Sequence, residues 1–122
     1  MSKSIEFVFD FGSPNAYLSY FTVKAVAART GADLKITPCL LGGIFKSTNN
    51  QPPMMNFAGV SGKNAMFMRE IERYCERHEL TQFAMNPHFP VNTLLLMRAC
   101  VAYGKDHSVD AYVEAGVKMM WE

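Results

Sequence analysis

The sequence has no Cys-x-x-Cys and only three cysteines, Cys39, Cys75 and Cys100, odd in number, widely spaced and set in apolar or helical surroundings. That pattern excludes a dithiol redox centre and a cysteine-histidine metal site, so no metal is expected. The three are expected to be buried or partly buried free thiols of a reducing compartment. Long apolar runs are lacking as well: the longest are broken by Lys, Arg or Gly within a few turns, and no membrane partner is expected. Charge of one sign is missing, since 12 Lys and Arg stand against 11 Asp and Glu for a net charge of +1. A nucleic-acid partner usually demands a basic face or stripe. Here Arg69, Arg73 and Arg77 are interleaved with Glu70, Glu72, Glu76 and Glu79, the pattern of a solvated helix face. Neither an internal repeat nor a low-complexity segment occurs. No signal-peptide apolar stretch follows the opening Met-Ser-Lys-Ser, so a cytoplasmic location is the default.

What is present is a chain of 122 residues, 49% hydrophobic and 19% charged, the size and composition of one globular domain. Residues 5–10 read as a strand, with Ile5, Phe7 and Phe9 on one face and Glu6, Val8 and Asp10 on the other. Its Phe and Val content predicts burial on much of both faces. Phe11-Gly12 breaks it. Ser13 then reads as a helix N-cap with Pro14 at the first helical position, where a missing N–H is harmless. The helix runs to Thr30, and Gly31 supplies a left-handed stop. Residues 34–39 read as a second strand, which a right-handed crossover makes parallel to the first.

After Gly42-Gly43 the character changes. Residues 44–53 read as a polar loop ending in a Pro pair. Beyond it three helices are predicted: from Ser61 or Gly62 to about Glu79, from Val91 or Asn92 to Tyr103, and from Ser108 to Trp121. Asn86-Pro87 and Phe89-Pro90 mark the loop between the first two. Two parallel strands make no stable sheet alone, so further strands are expected from sequence beyond Glu122 or from another chain, the former being preferred.

A serine capping a helix usually only satisfies backbone N–H groups. Three features give Ser13 a further reading. It follows the carboxyl end of a strand, where α/β folds gather ligands. A helix N-terminus favours an anion. Residues 13–16 sit where a redox Cys-Pro-x-Cys would stand, yet hold no cysteine, and a hydroxyl can donate to a thiolate without forming a disulfide.

The run Phe9-Asp10-Phe11-Gly12-Ser13-Pro14-Asn15-Ala16-Tyr17-Leu18, with Gly43-Ile44-Phe45-Lys46, Asn50-Gln51-Pro52-Pro53 and the 86–93 segment Asn-Pro-His-Phe-Pro-Val-Asn-Thr, resembles the 2-hydroxychromene-2-carboxylate isomerase family. That family is akin to kappa-class glutathione transferases in the DsbA-like thioredoxin superfamily. The resemblance implies an α/β fold: a thioredoxin-like βαβ part over 1–43, then an inserted all-helical domain over 44–122 with a connecting loop at 44–60, the C-terminal ββα part being absent. It implies glutathione as cofactor, a small aromatic substrate, a homodimer, and a cytoplasmic setting in aromatic catabolism. It places Ser13 as the catalytic group holding the glutathione sulfur as thiolate, with Pro14, Asn50 and Lys63 on the cofactor. Position 51 is Gln where some relatives carry Lys. The cis-proline loop that grips glutathione belongs to the absent half, so tight binding by this chain alone is not expected.

Other readings stay open. Asn50 can hold a turn before the Pro pair, Lys63 can be a charge near a helix start, and Asn92 can cap the next helix. His88 reads as structural or as lining a cleft, while His78 and His107 read as exposed. The nine Met residues read as core filler, with those near Met54 able to line an aromatic pocket. In function, the rivals to a glutathione-dependent isomerase are a kappa-type transferase, a DsbA-like disulfide oxidoreductase relative without redox activity, and a catalytically silent binding module.

Overall fold

The computed structural model describes residues 3–122. Strand β1 (Ser4–Phe9) is followed by helix α1 (Pro14–Thr30) and strand β2 (Asp33–Pro38), which pairs with β1 in parallel, Phe7 opposite Ile36 and Phe9 opposite Pro38. The boundaries of α1 follow from its ends. Ser13 caps the start, Pro14 occupies the first helical position, and Gly31 at φ 63° closes the helix with its N–H on the Ala27 carbonyl. Among the described residues only one face of the small sheet is covered. Ile5, Phe7 and Phe9 turn inward, whereas Val8 is 57% exposed and Glu6 meets Lys35 and Thr37 on the open side. The two-faced burial expected from the Val and Phe content is thus corrected. Strand composition reports β propensity, and what covers each face is decided by the rest of the fold.

The second departure is at 41–56. In place of a continuous polar loop the chain forms α2 (Leu41–Ser47) and α3 (Pro53–Asn56). The first turn of α2 carries no side-chain cap of its own. Its Leu41 N–H donates instead to the Asp10 carboxylate at 2.7 Å, a partner 31 residues away. A helix stabilised in this way cannot be read from local propensity, least of all through Gly42-Gly43. Two prolines at its start set up α3, and the Phe57 N–H closes it on the Pro53 carbonyl.

Helix α4 (Lys63–His78) is amphipathic: Ile71 is its buried residue, and Arg69–Glu72 and Glu70–Arg73 pair on the solvated face. Helices α5 (Leu94–Tyr103) and α6 (Asp110–Trp121) are the most deeply packed of the later elements. One core joins Phe9 and Phe11 to Tyr17, Leu18 and Tyr20 of α1, Ile71 of α4, Met97 and Cys100 of α5, and Val113, Val117, Met120 and Trp121 of α6. The methionines divide: Met97 and Met120 fill this core, while Met55, Met66 and Met119 are exposed. His78 and His107 lie at the surface against Tyr74 and Tyr103. Among the described residues no helix is long and apolar enough to cross a membrane.

The turn after β1 is fixed from the far end of the sequence. Buried Trp121 donates its indole N–H to the Phe11 carbonyl at 3.0 Å. The last carbonyls of α6 are met in turn: Trp121 accepts from the Ala84 N–H at 2.7 Å and Met120 from the Asn86 side-chain amide at 3.1 Å. Phe11 packs against α6 at Gly116, where a Cβ would overlap its ring. That contact explains a glycine inside a helix, which otherwise costs about 1 kcal/mol relative to alanine.

Candidate active site

Ser13 stands between β1 and α1 with its backbone N–H on the Asp10 carbonyl at 3.1 Å. Its Oγ accepts from the Ala16 N–H at 3.2 Å, and its own O–H donates to no group among the described residues. A hydroxyl that is anchored as an acceptor keeps its proton for a ligand. It sits at the positive end of a 17-residue helix, where negative charge is stabilised by about 0.3–1 kcal/mol at exposed sites.

Ser13 and Pro14 open onto a cleft of about 390 Å³. One wall is the start of α1, a second is Leu41, Gly42 and Phe45 of α2, and a third is the segment from Phe89 to Thr93. Pro52, Pro53, Met54 and Phe67 complete the lining, which is apolar apart from Asp10, Ser13, Asn15 and Thr93. Neither a cysteine nor a Lys, Arg or His belongs to it. Asp10 forms the floor. It is 4% exposed, and its carboxylate accepts from the Gly12 N–H at 2.8 Å, the Leu41 N–H at 2.7 Å and the Thr93 hydroxyl at 2.6 Å. Three charge-assisted bonds of this kind are what a buried carboxylate requires. From the sequence Asp10 is a residue on a strand face with no assigned role. The available signal was an acid directly after a buried strand and before a Gly, but its partners Leu41 and Thr93 are distant in sequence.

The other expected site residues lie elsewhere. Asn50 is exposed, and its carbonyl oxygen accepts from the Gln51 N–H at 2.8 Å and the Asn56 amide at 2.9 Å, holding the turn before α3. Lys63 begins α4 with its ammonium over the Phe57 ring, 5.3 Å from the centroid. Neither belongs to the lining of the Ser13 cleft. Asn92 accepts from the Leu94 N–H at 3.1 Å and so serves the start of α5 from one residue before the cap position. His88 is exposed. The cysteines are free thiols. Burial pushes the Cys75 and Cys100 thiols up, away from the thiolate that redox chemistry needs. Among the described residues no group of His, Cys, Asp and Glu could hold a metal ion.

A strand–turn–helix site on a parallel βαβ unit, followed by helices, is the thioredoxin-like arrangement. The match to the DsbA-like thioredoxin domain covers residues 4–122, and the chain belongs to that family. A protein similar to it over 99% of this chain, at 27% identity, is the 2-hydroxychromene-2-carboxylate isomerase of Sphingobium xenophagum. The chain spans 60% of that relative's length. No solved structure matches the chain significantly.

Proposed function

We propose that this protein is a glutathione-dependent isomerase of the 2-hydroxychromene-2-carboxylate type, with Ser13 as the catalytic residue. The observation that carries the reading is the Ser13 hydroxyl, its proton uncommitted, at the N-terminus of α1 and in the lining of an apolar cleft; a neighbouring cavity that Ser13 also lines includes Cys39. The name of the Sphingobium relative supports it. Glutathione, when bound, would supply a nucleophilic sulfur able to add reversibly to a conjugated substrate and leave again. Ser13 would donate to that sulfur, and the N–H groups of the first turn of α1 would favour its anionic form. Phe45, Phe67 and Phe89 line the cleft and would give an aromatic substrate an apolar surface. Pro14 lines the cleft beside Ser13. In this reading Asn50 and Lys63, outside the lining, meet the outlying polar and charged ends of the tripeptide. A homodimer and a cytoplasmic role in aromatic catabolism belong to the same proposal.

One observation favours a second reading. A lining without Lys, Arg or His offers no cation to a substrate carboxylate, which suits a kappa-type transferase acting on neutral electrophiles. Product analysis with glutathione separates the two, because an isomerase returns the thiol and a transferase consumes it. The test of Ser13 is turnover of a Ser13→Ala variant. Losing one such donor costs roughly 10²-fold in kcat. Full thiol-dependent turnover by the variant would remove Ser13 from the mechanism, and absence of glutathione binding by the full-length protein would remove the enzyme reading.

A further inference from the structure

The three walls of the cleft belong to segments far apart in the sequence, yet each sends one hydrogen-bond donor to the same carboxylate. The Gly12 N–H comes from the Ser13 turn, the Leu41 N–H from the start of α2, and the Thr93 hydroxyl from the entry to α5. Asp10 Oδ1 takes the first and third, and Oδ2 the second. The space around them is tight: a Cβ at Gly12 would lie 3.2 Å from the Thr93 methyl and 3.4 Å from Asp10 Oδ1. Thr93 is itself buried, at 5% exposure. The Asp10 backbone carbonyl also receives the Ser13 N–H, so the same residue holds the catalytic turn by main chain and by side chain.

We propose that Asp10, locked in place by Thr93, is the positioning residue of this cleft, setting where the Ser13 hydroxyl stands relative to the α2 wall and the 89–93 wall. The role rests on the reading of Ser13 as thiolate partner, although the clamp can be measured without a ligand. Asp10 acts through the three donors it holds, two on Oδ1 and one on Oδ2, rather than on the reacting atoms. Thr93→Val keeps the shape of the side chain and removes the hydroxyl, which leaves Asp10 Oδ1 held by the Gly12 N–H alone. Thr93→Ser keeps the hydroxyl and serves as the conservative rescue.

The experiment is residue-resolved amide hydrogen exchange on the full-length wild-type protein and its Thr93→Val and Thr93→Ser variants, joined to glutathione titration with the bound thiolate fraction read by its ultraviolet absorbance. Thr93→Val is expected to speed exchange at the Leu41, Ser13 and Ala16 amides together by roughly tenfold, the weight of one lost charge-assisted bond. The Ile71 amide in α4 should keep its wild-type rate, and Thr93→Ser should restore all three. Where the wild type binds glutathione, the thiolate fraction should fall in Thr93→Val and recover in Thr93→Ser. Uniform acceleration at every amide, Ile71 included, would make the clamp mere global stability and overturn the proposal. So would a response at Leu41 with Ser13 and Ala16 unchanged, or an unchanged thiolate fraction in Thr93→Val. If the wild type binds no glutathione, the functional reading falls, and the Ser13 and Ala16 amides alone decide whether Asp10 positions the turn.

Discussion

At the scale of single residues, Asp10 and Ser13 divide the work at the turn. Ser13 is a cap with a proton to spare, whereas Asp10 accepts from three donors at once. An asparagine at position 10 offers one acceptor oxygen in place of two, and its NH2 would face a donor. Asp10→Asn is therefore expected to leave either the Leu41 or the Gly12 N–H unmet, at about 1–3 kcal/mol, read as a lower urea midpoint with an unchanged m-value. Ser13 was legible in the sequence because a cap followed by Pro has a local signature. Asp10 was not, because nothing within several residues reveals that Leu41 and Thr93 return to it. Asn50 has a role legible locally: its Oδ1 holds the turn before the Pro pair through Gln51 and Asn56, and its ligand role remains part of the proposal.

At the scale of elements, those with self-contained signals are the ones that sequence reading located well. Helix α1 runs between Ser13 and Gly31 as its capping residues require, and the two strands, α4, α5 and α6 fall within a few residues of their expected bounds. Helix α2 escaped because its N-terminal donor is satisfied by tertiary contact. Helix α6 carries the clearest packing constraint. Gly116→Ala would drive a methyl group into the Phe11 ring, and the cost is expected to be about 1–3 kcal/mol by chemical denaturation despite the better helix propensity of alanine. A gain in stability instead would show that the Phe11–α6 contact is loose.

At the scale of the whole molecule, the first and last helices are joined through buried phenols. Burial, and then the hydrogen bond it donates to the Glu122 carboxylate, push the Tyr17 phenol well above its ordinary value. Burial also raises Tyr20, which meets Lys24 and the Asp110 carbonyl. A phenol whose folded pKa exceeds the unfolded one contributes stability that is complete below the unfolded value, about 10, and is lost as pH rises through the folded one. The protein is therefore expected to lose stability progressively above about pH 10. Tyr17→Phe should flatten that decline in denaturation curves taken across the alkaline range, and an unchanged slope would assign the loss to other groups.

The bond from Trp121 to the Phe11 carbonyl spans 110 residues, and that from Thr93 to Asp10 spans 83. Closing such long loops is slow relative to forming a helix, and its entropic cost must be met before any contact repays it. During synthesis from the N-terminus, Ser13 leaves the ribosome early but cannot acquire its native surroundings until α6 has followed. The turn should accordingly show low φ-values while the middle of α1 shows higher ones, making this site one of the last parts of the molecule to become ordered.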